Sequence, residues 1–196
     1  MAAVGSPTRS APELTPAWWI GVDAGHEDIV RAERDARRIA DTLLPTASTV
    51  CVHAGGGGRV LLSYELPDHG VPTPDQLARL VLDEGAGITV LGADGSIDVG
   101  LGDIDRRRRA ALAAKALLLR TDGMAVRFQG SAELVGIVRA ESLLMDTAIE
   151  RLDAGTAALA LSSKVLITEP VTPSFHGGLL TLTLEPVGED SFRPVR

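Results

Sequence analysis

The sequence predicts an α/β fold in which helices flank a single mixed β-sheet. Segments with helical periodicity alternate with short β-type runs, and two pairs of those runs are joined by glycine-containing turns typical of hairpins. Hairpins give antiparallel neighbours and helical crossovers give parallel ones, so the combination predicts a mixed sheet. The length of 196 residues suits one domain and is too short for two enzyme lobes. We expect an α/β domain over residues 16–152, with residues 153–196 as its C-terminal β extension.

The N-terminal part of the chain is predicted to contain a tail, a helix and a hairpin. Residues 1–15 carry Ser, Thr and Pro without periodicity, which predicts a disordered tail. Residues 27–44 repeat apolar side chains at helical spacing, which predicts an amphipathic surface helix. Its predicted inner side chains are Ile29, Ala36, Ile39, Ala40 and Leu43. Residues 48–53 and 59–65 are β-type runs, so we expect a hairpin across the four glycines at 55–58.

The middle of the chain is predicted to form a helix, a second hairpin and another helix. A capping-box sequence at residues 73–76 predicts the start of a helix that runs to about residue 84. A hairpin is expected over residues 87–99, because an Asp-Gly pair lies between its two β-type runs. Asp103 or Asp105 is expected to cap a further helix that ends near residue 120.

The C-terminal part is predicted to form a strand, a long helix and three last strands. Residues 124–129 are the expected strand, and Ser131 is the expected cap of the helix. The inner stripe of that helix is predicted to be Leu134, Val138, Met145, Ile149 and Leu152. The three last strands are predicted at residues 156–161, 165–168 and 179–184.

The charge balance of the chain disfavours two classes of partner. Acidic residues number 26 against 19 Lys and Arg, for a formal charge of −7, so binding to a nucleic-acid polymer or an anionic membrane is not expected. The longest apolar stretch is far below the roughly 18–20 residues of a membrane span, and no signal peptide is predicted at Met1. With Cys51 as its single cysteine, the protein is predicted to be cytoplasmic.

Several short motifs have simpler explanations than a catalytic site. Glycines 55–58 join two β-type runs and lack the Gly-Lys-Ser/Thr of a phosphate loop, which favours a hairpin turn. Residues 20–25 resemble the first phosphate loop of actin-like kinases, but the chain is too short for that two-lobed fold. The four histidines have no companions at metal-ligand spacing, and no Gly-x-Ser-x-Gly nucleophile elbow is present.

The unusual segment is Asp-Arg-Arg-Arg-Arg at 105–109, at the start of a predicted helix. Cations in the first turn oppose the helix dipole and repel one another, so the segment is unfavourable unless it meets an anion or carboxylates. Guanidinium groups and the N–H groups of a helix N-terminus both bind phosphate. Two interpretations stay open, namely a solvated basic face and an anion clamp.

Residues 27–128 resemble a diverged diadenylate cyclase domain, the module that joins two ATP molecules into cyclic di-AMP. That family has Asp-Gly-Ala at the start of a strand, then a hairpin, then Gly-Thr-Arg-His-Arg leading into a helix, and then Thr-Asp-Ala. This chain has Glu-Gly-Ala at 84–86, a predicted hairpin, Asp-Arg-Arg-Arg-Arg at 105–109 and Thr-Asp-Gly at 121–123, in the same order.

The resemblance implies a set of site residues. The implied nucleotide-binding residues are Gly85, Ala86, Arg107, Arg108 and Arg109. The family's catalytic, metal-binding aspartate corresponds to Glu84, or to Asp83 if the register is shifted by one. A longer carboxylate side chain displaces a metal by more than the roughly 1 Å that can cost 10²-fold in rate. Impaired catalysis is therefore expected.

Three functions stay open at this point. The first is a nucleotide-binding sensor or signalling domain, which binds ATP or a cyclic di-AMP-like nucleotide without efficient catalysis. The second is an active diadenylate cyclase, which would use ATP with Mg²⁺ or Mn²⁺ and would need two facing active sites, hence a homo-oligomer. The third is a non-enzymatic scaffold that binds a protein partner through strands in residues 156–184.

Overall fold

The chain forms one mixed β-sheet of twelve strands with four α-helices, as seen in a computed structural model that describes residues 16–70 and 72–195. The side chains of residues 16, 17, 69 and 82–84 lie outside the described part. The predicted tail, residues 1–15, also lies outside it. The predicted class, an α/β fold with a single mixed sheet flanked by helices, is confirmed.

The elements follow one another along the chain with these bounds. The strands are β1 (Pro16–His26), β2 (Thr49–Ala54), β3 (Val60–Pro67), β4 (Gly87–Gly92), β5 (Ile97–Leu101), β6 (Met124–Arg127), β7 (Gly136–Arg139), β8 (Arg151–Asp153), β9 (Lys164–Ile167), β10 (Ser174–His176), β11 (Leu179–Gly188) and β12 (Ser191–Pro194). The helices are α1 (Ile29–Thr42), α2 (Pro74–Glu84), α3 (Ile104–Leu118) and α4 (Ala140–Asp146).

The sheet is mixed because most neighbouring strands are antiparallel and two pairs are parallel. The strand order is β5-β4-β1-β3-β2-β6-β10-β11-β12-β9-β7, and β8 pairs with β11 from outside this order. The parallel pairs are β8 with β11 and β9 with β12. The two ends of the order are therefore β5 and β7.

The described part of the chain begins with β1, which precedes the helix that opens the predicted order of elements. β1 lies between β3 and β4 and is antiparallel to both. Its alternate side chains are buried on opposite faces, with Ile20 fully buried on one side and Trp19 buried on the other. Because a central strand is covered on both faces, it shows a nearly continuous apolar run rather than alternation.

The first three helices begin at side-chain caps. In α2 both bonds of the predicted capping box form, since the Gln76 N–H donates to Thr73 Oγ1 at 3.3 Å and the Thr73 N–H donates to Gln76 Oε1 at 2.8 Å. Of the two candidate caps of α3, Asp103 is the one used. In α1 the predicted inner residue Ile29 is 46 % exposed, because it lies in the first turn and points away from the sheet.

Helices cover both faces of the N-terminal half of the sheet. α1 and α2 pack on one face, over a cluster of buried side chains that includes Ile20, Leu62 and Tyr64. α3 packs on the other face so closely that a Cβ added to Gly21 would stand 1.8 Å from the Ala110 carbonyl oxygen. This distance requires glycine in β1 and small side chains on α3.

Two predicted elements of the C-terminal part are wrong. The helix predicted from Ser131 to Leu152 is replaced by a short 3₁₀ turn, β7, α4 and β8. Gly136 has a φ of +80°, which a helix does not tolerate, and the β-branched residues after it pair with β9. Met145, predicted to lie inside, is 55 % exposed. The strand predicted at residues 156–161 is also wrong, since that segment consists of turns and irregular backbone.

The C-terminal strands extend the same sheet and share its core. β9 and β11 confirm two of the predicted last strands, while β8, β10 and β12 lie outside the predicted ones. A second cluster of buried side chains brings Trp19, Cys51 and Leu91 together with Phe175 and Leu182. The apolar core under α3 is therefore continuous with the C-terminal strands.

Candidate anion-binding site

Three arginines meet at one corner of the sheet, where β1 ends, β4 begins and α3 starts. A Cβ placed on Gly25 would stand 3.4 Å from Nη1 of Arg59 and 3.6 Å from Nη2 of Arg106. Arg109, one turn further along α3, contacts Asp23. We call Arg59, Arg106, Arg109 and Asp23 the arginine corner.

The carboxylate of Asp23 is fully buried and is compensated within the corner. Arg109 Nε donates to Asp23 Oδ2 at 2.6 Å, and the Gly25 N–H donates to Asp23 Oδ1 at 2.9 Å. A buried carboxylate that lost its partner would strongly destabilise the fold. Arg109 is therefore engaged in holding the corner together.

Arg106 lies over the turn between α2 and β4. Its Nη1 donates to the carbonyl oxygen of Gly85, which ends α2 in the left-handed conformation at φ 59°. The first turn of α3 fits here because Gly87 has no side chain; a Cβ on Gly87 would stand 2.3 Å from Arg106 Cβ. Gly85 and Ala86, two of the implied binding residues, thus lie next to an arginine.

Arg59 reaches the corner from the hairpin between β2 and β3. Its Nη1 donates to the Gly25 carbonyl oxygen at 3.1 Å and lies 3.7 Å from Glu27 Oε1. The glycines before it are open to solvent, since a Cβ on Gly56, Gly57 or Gly58 would meet no atom within 4 Å. An exposed glycine loop therefore lies beside the corner.

Two of the implied binding residues, Arg107 and Arg108, point away from the arginine corner. Arg107 Nη1 donates to the Gly100 carbonyl oxygen of β5 at 3.2 Å. The Arg108 side chain is 75 % exposed and pairs with Asp105 at 3.3 Å. Of the three implied arginines, only Arg109 lies in the corner.

The N-terminus of α3 is occupied by a side chain of the protein. Asp103 Oδ1 accepts hydrogen bonds from the N–H groups of Asp105 and Arg106, both at 3.0 Å. These bonds, the one from Arg106 first, lower the pKa of Asp103. An anion at the corner would therefore depend on guanidinium groups and not on the helix N-terminus.

The residues implied in catalysis, Asp83 and Glu84, end α2, and their side chains lie outside the described part of the structure. Among the described residues, no three His, Cys, Asp or Glu side chains are grouped so as to hold a metal ion. The described carboxylate of the corner, that of Asp23, already accepts from Arg109 and Gly25. The described residues of the corner do not fit Mg²⁺ or Mn²⁺, and their chemistry is that of anion binding.

The motifs do not predict that Asp23 and Arg59 belong to the same site as Arg106. Each has a local signal, because Asp23 lies in the segment that resembles a phosphate loop and Arg59 follows the glycine run at 55–58. What brings them together is the antiparallel pairing of β1 with β3, in which Val22 faces Leu62. That pairing is a long-range contact that no local pattern contains.

A second polar cluster, beneath α3, has the sequence of groups found in a catalytic triad but no access to substrate. His53 Nε2 lies 2.6 Å from Ser63 Oγ, and His53 Nδ1 lies 3.8 Å from Asp122 Oδ2. Ser63 is fully buried, so a substrate carbonyl cannot reach its hydroxyl. Burial lowers the pKa of His53 to about 4, although Asp122 opposes the shift. Burial likewise raises the pKa of the Cys51 thiol, next to His53, and makes it unreactive.

No protein-family model, no curated protein and no solved structure matches the chain. In the described part of the chain, none of the helices has the length and apolar character that crossing a bilayer requires. The geometry of the arginine corner is therefore the basis for a functional proposal.

Proposed function

We propose that the protein is a nucleotide-binding signalling domain of the diadenylate-cyclase-like type. Its arginine corner would bind the phosphates of ATP or of a cyclic di-AMP-like nucleotide. The observation that carries the proposal is the meeting of Arg59 and Arg106 at Gly25, beside Gly85. Arg106 stands where the resembling family has a threonine, so the resemblance supports the corner through Gly85 and Arg109, and the geometry alone adds Arg59 and Arg106.

The guanidinium groups of the corner can exchange their present partners for phosphate. Arg59 pairs with Glu27, whose side chain is 74 % exposed, and such surface ion pairs are worth only about 0–1 kcal/mol. Arg106 donates to the neutral carbonyl of Gly85, and among the described residues the carboxylate of Asp103 interacts with its charge. Phosphate offers both arginines bidentate, charge-assisted hydrogen bonds, which are stronger.

The backbone around these two arginines is open enough for a phosphate to approach. Gly25 and Gly85 have positive φ angles, and among the described side chains a Cβ on Gly85 would meet Arg106 alone, at 3.7 Å. The exposed glycines before Arg59 add further N–H groups without side chains in front of them. Glycine-rich backbone next to a cation is the arrangement that phosphate sites commonly use.

The proposed domain binds nucleotide without efficient catalysis. Asp23 is engaged by Arg109, and the described residues of the corner do not fit a divalent metal. The proposed compartment is the cytoplasm, where ATP is present and where a single buried thiol, Cys51, stays reduced.

Calorimetry of the full chain with ATP and with cyclic di-AMP tests the proposal. Arg59→Ala combined with Arg106→Ala should weaken binding at least about tenfold, because each hydrogen bond to a charged group contributes roughly 1.5–3 kcal/mol. Arg108→Ala is the matched control, since this arginine lies in the same turn but outside the corner. No binding at millimolar nucleotide, or equal losses in both variants, would contradict the proposal.

The active cyclase is distinguished by its product. The chain is incubated with ATP and Mg²⁺ or Mn²⁺, and the reaction is examined for cyclic di-AMP. We expect no cyclic di-AMP; its formation would show that the chain is an active cyclase, and the sensor proposal would be wrong. Such an enzyme would also have to form a homo-oligomer with facing sites.

A protein partner is the second candidate function, and exposed apolar side chains at the edge strand β7 favour it. Ile137 is 69 % exposed and faces Leu166 of β9, which is 40 % exposed. The strands within residues 156–184 have neighbours on both sides in the sheet, so a partner strand would pair with β7 instead. Sedimentation of the wild type and of Ile137→Lys tests a second copy as this partner. A self-association that Ile137→Lys leaves unchanged would exclude this edge.

A further inference from the structure

An open cleft of about 530 Å³ lies away from the arginine corner. Its lining comes from α1, β6, residues 131–135 and residues 167–171. Arg127, which lines this cleft, is the last residue of β6 and pairs with Val50, near the start of β2. The exposed glycine loop of the corner follows the other end of β2, so the two regions are separate.

The floor of the cleft is apolar. Val126, Ile167 and Val171 line it and are at most 5 % exposed, so they are fixed by the core beneath them. Leu134 and Val135 add to the apolar lining, and Val135 is 75 % exposed. A volume of this size is in the range of small-molecule sites, roughly 300–1,000 Å³, and an apolar group placed here would cover exposed apolar surface.

Two guanidinium groups on the cleft are held in place by main-chain carbonyls. Arg37 Nε donates to the carbonyl oxygen of Val126 at 3.2 Å, and its side chain is 35 % exposed. Arg127 Nη2 donates to the carbonyl oxygen of Pro45 at 3.3 Å, and its side chain is 34 % exposed. Because these anchors are neutral and fix the side chains, little further ordering is needed to bind an anion.

The carboxylates near these arginines compete weakly with a ligand. Asp41, which lies 3.3 Å from Arg127 Nη1, is 71 % exposed, and Glu33, which lies 3.6 Å from Arg37 Nη1, is 21 % exposed. The exposed side chain of Glu169 also lines the cleft, so a ligand carboxylate has to bind on the side of Arg37 and Arg127. Partly exposed pairs of this kind contribute little to stability. A ligand carboxylate that also buries an apolar group has an additional driving force that Asp41 lacks.

We propose that this cleft is a second binding site, which takes a small amphipathic carboxylate. The anionic group of the ligand is bound by Arg37 and Arg127, and its apolar part packs on Val126, Ile167 and Val171. The combination of two anchored cations with an apolar floor selects against ligands that have only an anionic group or only an apolar group. The site is independent of nucleotide binding at the arginine corner.

Titration of the full chain with sodium octanoate, followed by methyl NMR, tests the proposal. Octanoate should bind and shift the methyl signals of Val126, Ile167 and Val171, whereas acetate and 1-octanol should bind at least about tenfold more weakly. Arg37→Ala and Arg127→Ala should each weaken octanoate binding by a similar factor. Two separate variants are used because either alone could disturb the contact between α1 and β6.

Two controls make the result specific. Arg34→Ala removes an exposed cation from the same helix outside the cleft and should leave octanoate binding unchanged. Arg59→Ala with Arg106→Ala should also leave it unchanged, so failure of the nucleotide proposal does not affect this one. No octanoate binding at 10 mM, equal binding of 1-octanol, or full binding by both cleft variants would overturn the proposal.

Discussion

Asp23 and His53 are both buried beneath α3, but their burial is compensated in different ways. Asp23 has a guanidinium group at 2.6 Å and a backbone donor at 2.9 Å. The nearest carboxylate oxygen to His53 Nδ1, that of Asp122, is 3.8 Å away, and the Asp122 side chain is 67 % exposed. A close counter-ion stabilises the charged form of a buried group, whereas burial without one stabilises the neutral form.

The neutral His53 predicts a pH dependence of stability. Burial lowers its pKa from 6.5 in the unfolded chain to about 4 in the folded chain. Between these values the unfolded chain binds more protons than the folded chain. The contribution of neutral His53 to the free energy of unfolding should therefore be complete above pH 6.5. It should decrease as the pH falls towards 4, by about 3 kcal/mol in total.

Urea unfolding of the wild type and of His53→Gln between about pH 8 and pH 4 measures this contribution. The surface carboxylates titrate in both chains, so their effect cancels in the difference of the two unfolding free energies. We expect that difference to shift in favour of His53→Gln as the pH falls. A difference that stays constant over the whole range would show that His53 is not held neutral.

At the scale of elements, the contact of α3 with β1 depends on the absence of a side chain at Gly21. We predict that Gly21→Ala destabilises the fold by more than the 1–3 kcal/mol typical of overpacking, because its Cβ would stand 1.8 Å from the Ala110 carbonyl oxygen. Gly56→Ala is the control, since a Cβ there meets no atom within 4 Å. Thermal unfolding measures both; similar melting temperatures for the two variants would contradict the close packing.

Elements with local signals are predictable from this sequence, and elements that depend on distant pairing are not. The capping box at Thr73 and the cap at Asp103 identify two helix starts from adjacent residues alone. Residues 131–152 show apolar spacing compatible with a helix, but Gly136 and the pairing of Ile137 with β9 make β7 the stable outcome. Local propensity is outweighed there by a contact with residues about thirty positions further along the chain.

The arginine corner likewise has a part that local sequence predicts and a part that depends on distant contacts. A helix places residues three apart on one side, so Arg106 and Arg109 share the face of α3 that meets β1 and β4, while Arg108 faces solvent. Which of the four arginines meets an acid could not be predicted, because Asp23 is 86 residues away from Arg109. The resemblance to the cyclase family locates the turn at Gly85 but says nothing of Arg59.

At the scale of the whole molecule, the shared core predicts one cooperative unfolding transition. Leu182→Ala, in a C-terminal strand, should lower stability by roughly 2–5 kcal/mol and should shift the fluorescence change of the tryptophans, Trp18 and Trp19, together with the loss of circular dichroism. Leu112→Ala is the control, because Leu112 is 66 % exposed on α3. Two separate transitions in the Leu182→Ala chain would show that the C-terminal strands unfold independently.

The position of β1 also has a consequence for synthesis of the chain on the ribosome. β1 leaves the ribosome before both of its neighbours in the sheet, β3 and β4, and β4 ends only at Gly92. Until then the backbone N–H and C=O groups of a highly apolar strand lack their final partners, a state prone to aggregation. During synthesis β1 therefore stays without its final partners until β4 has emerged, and factors that shield emerging apolar segments would act on β1 during that time.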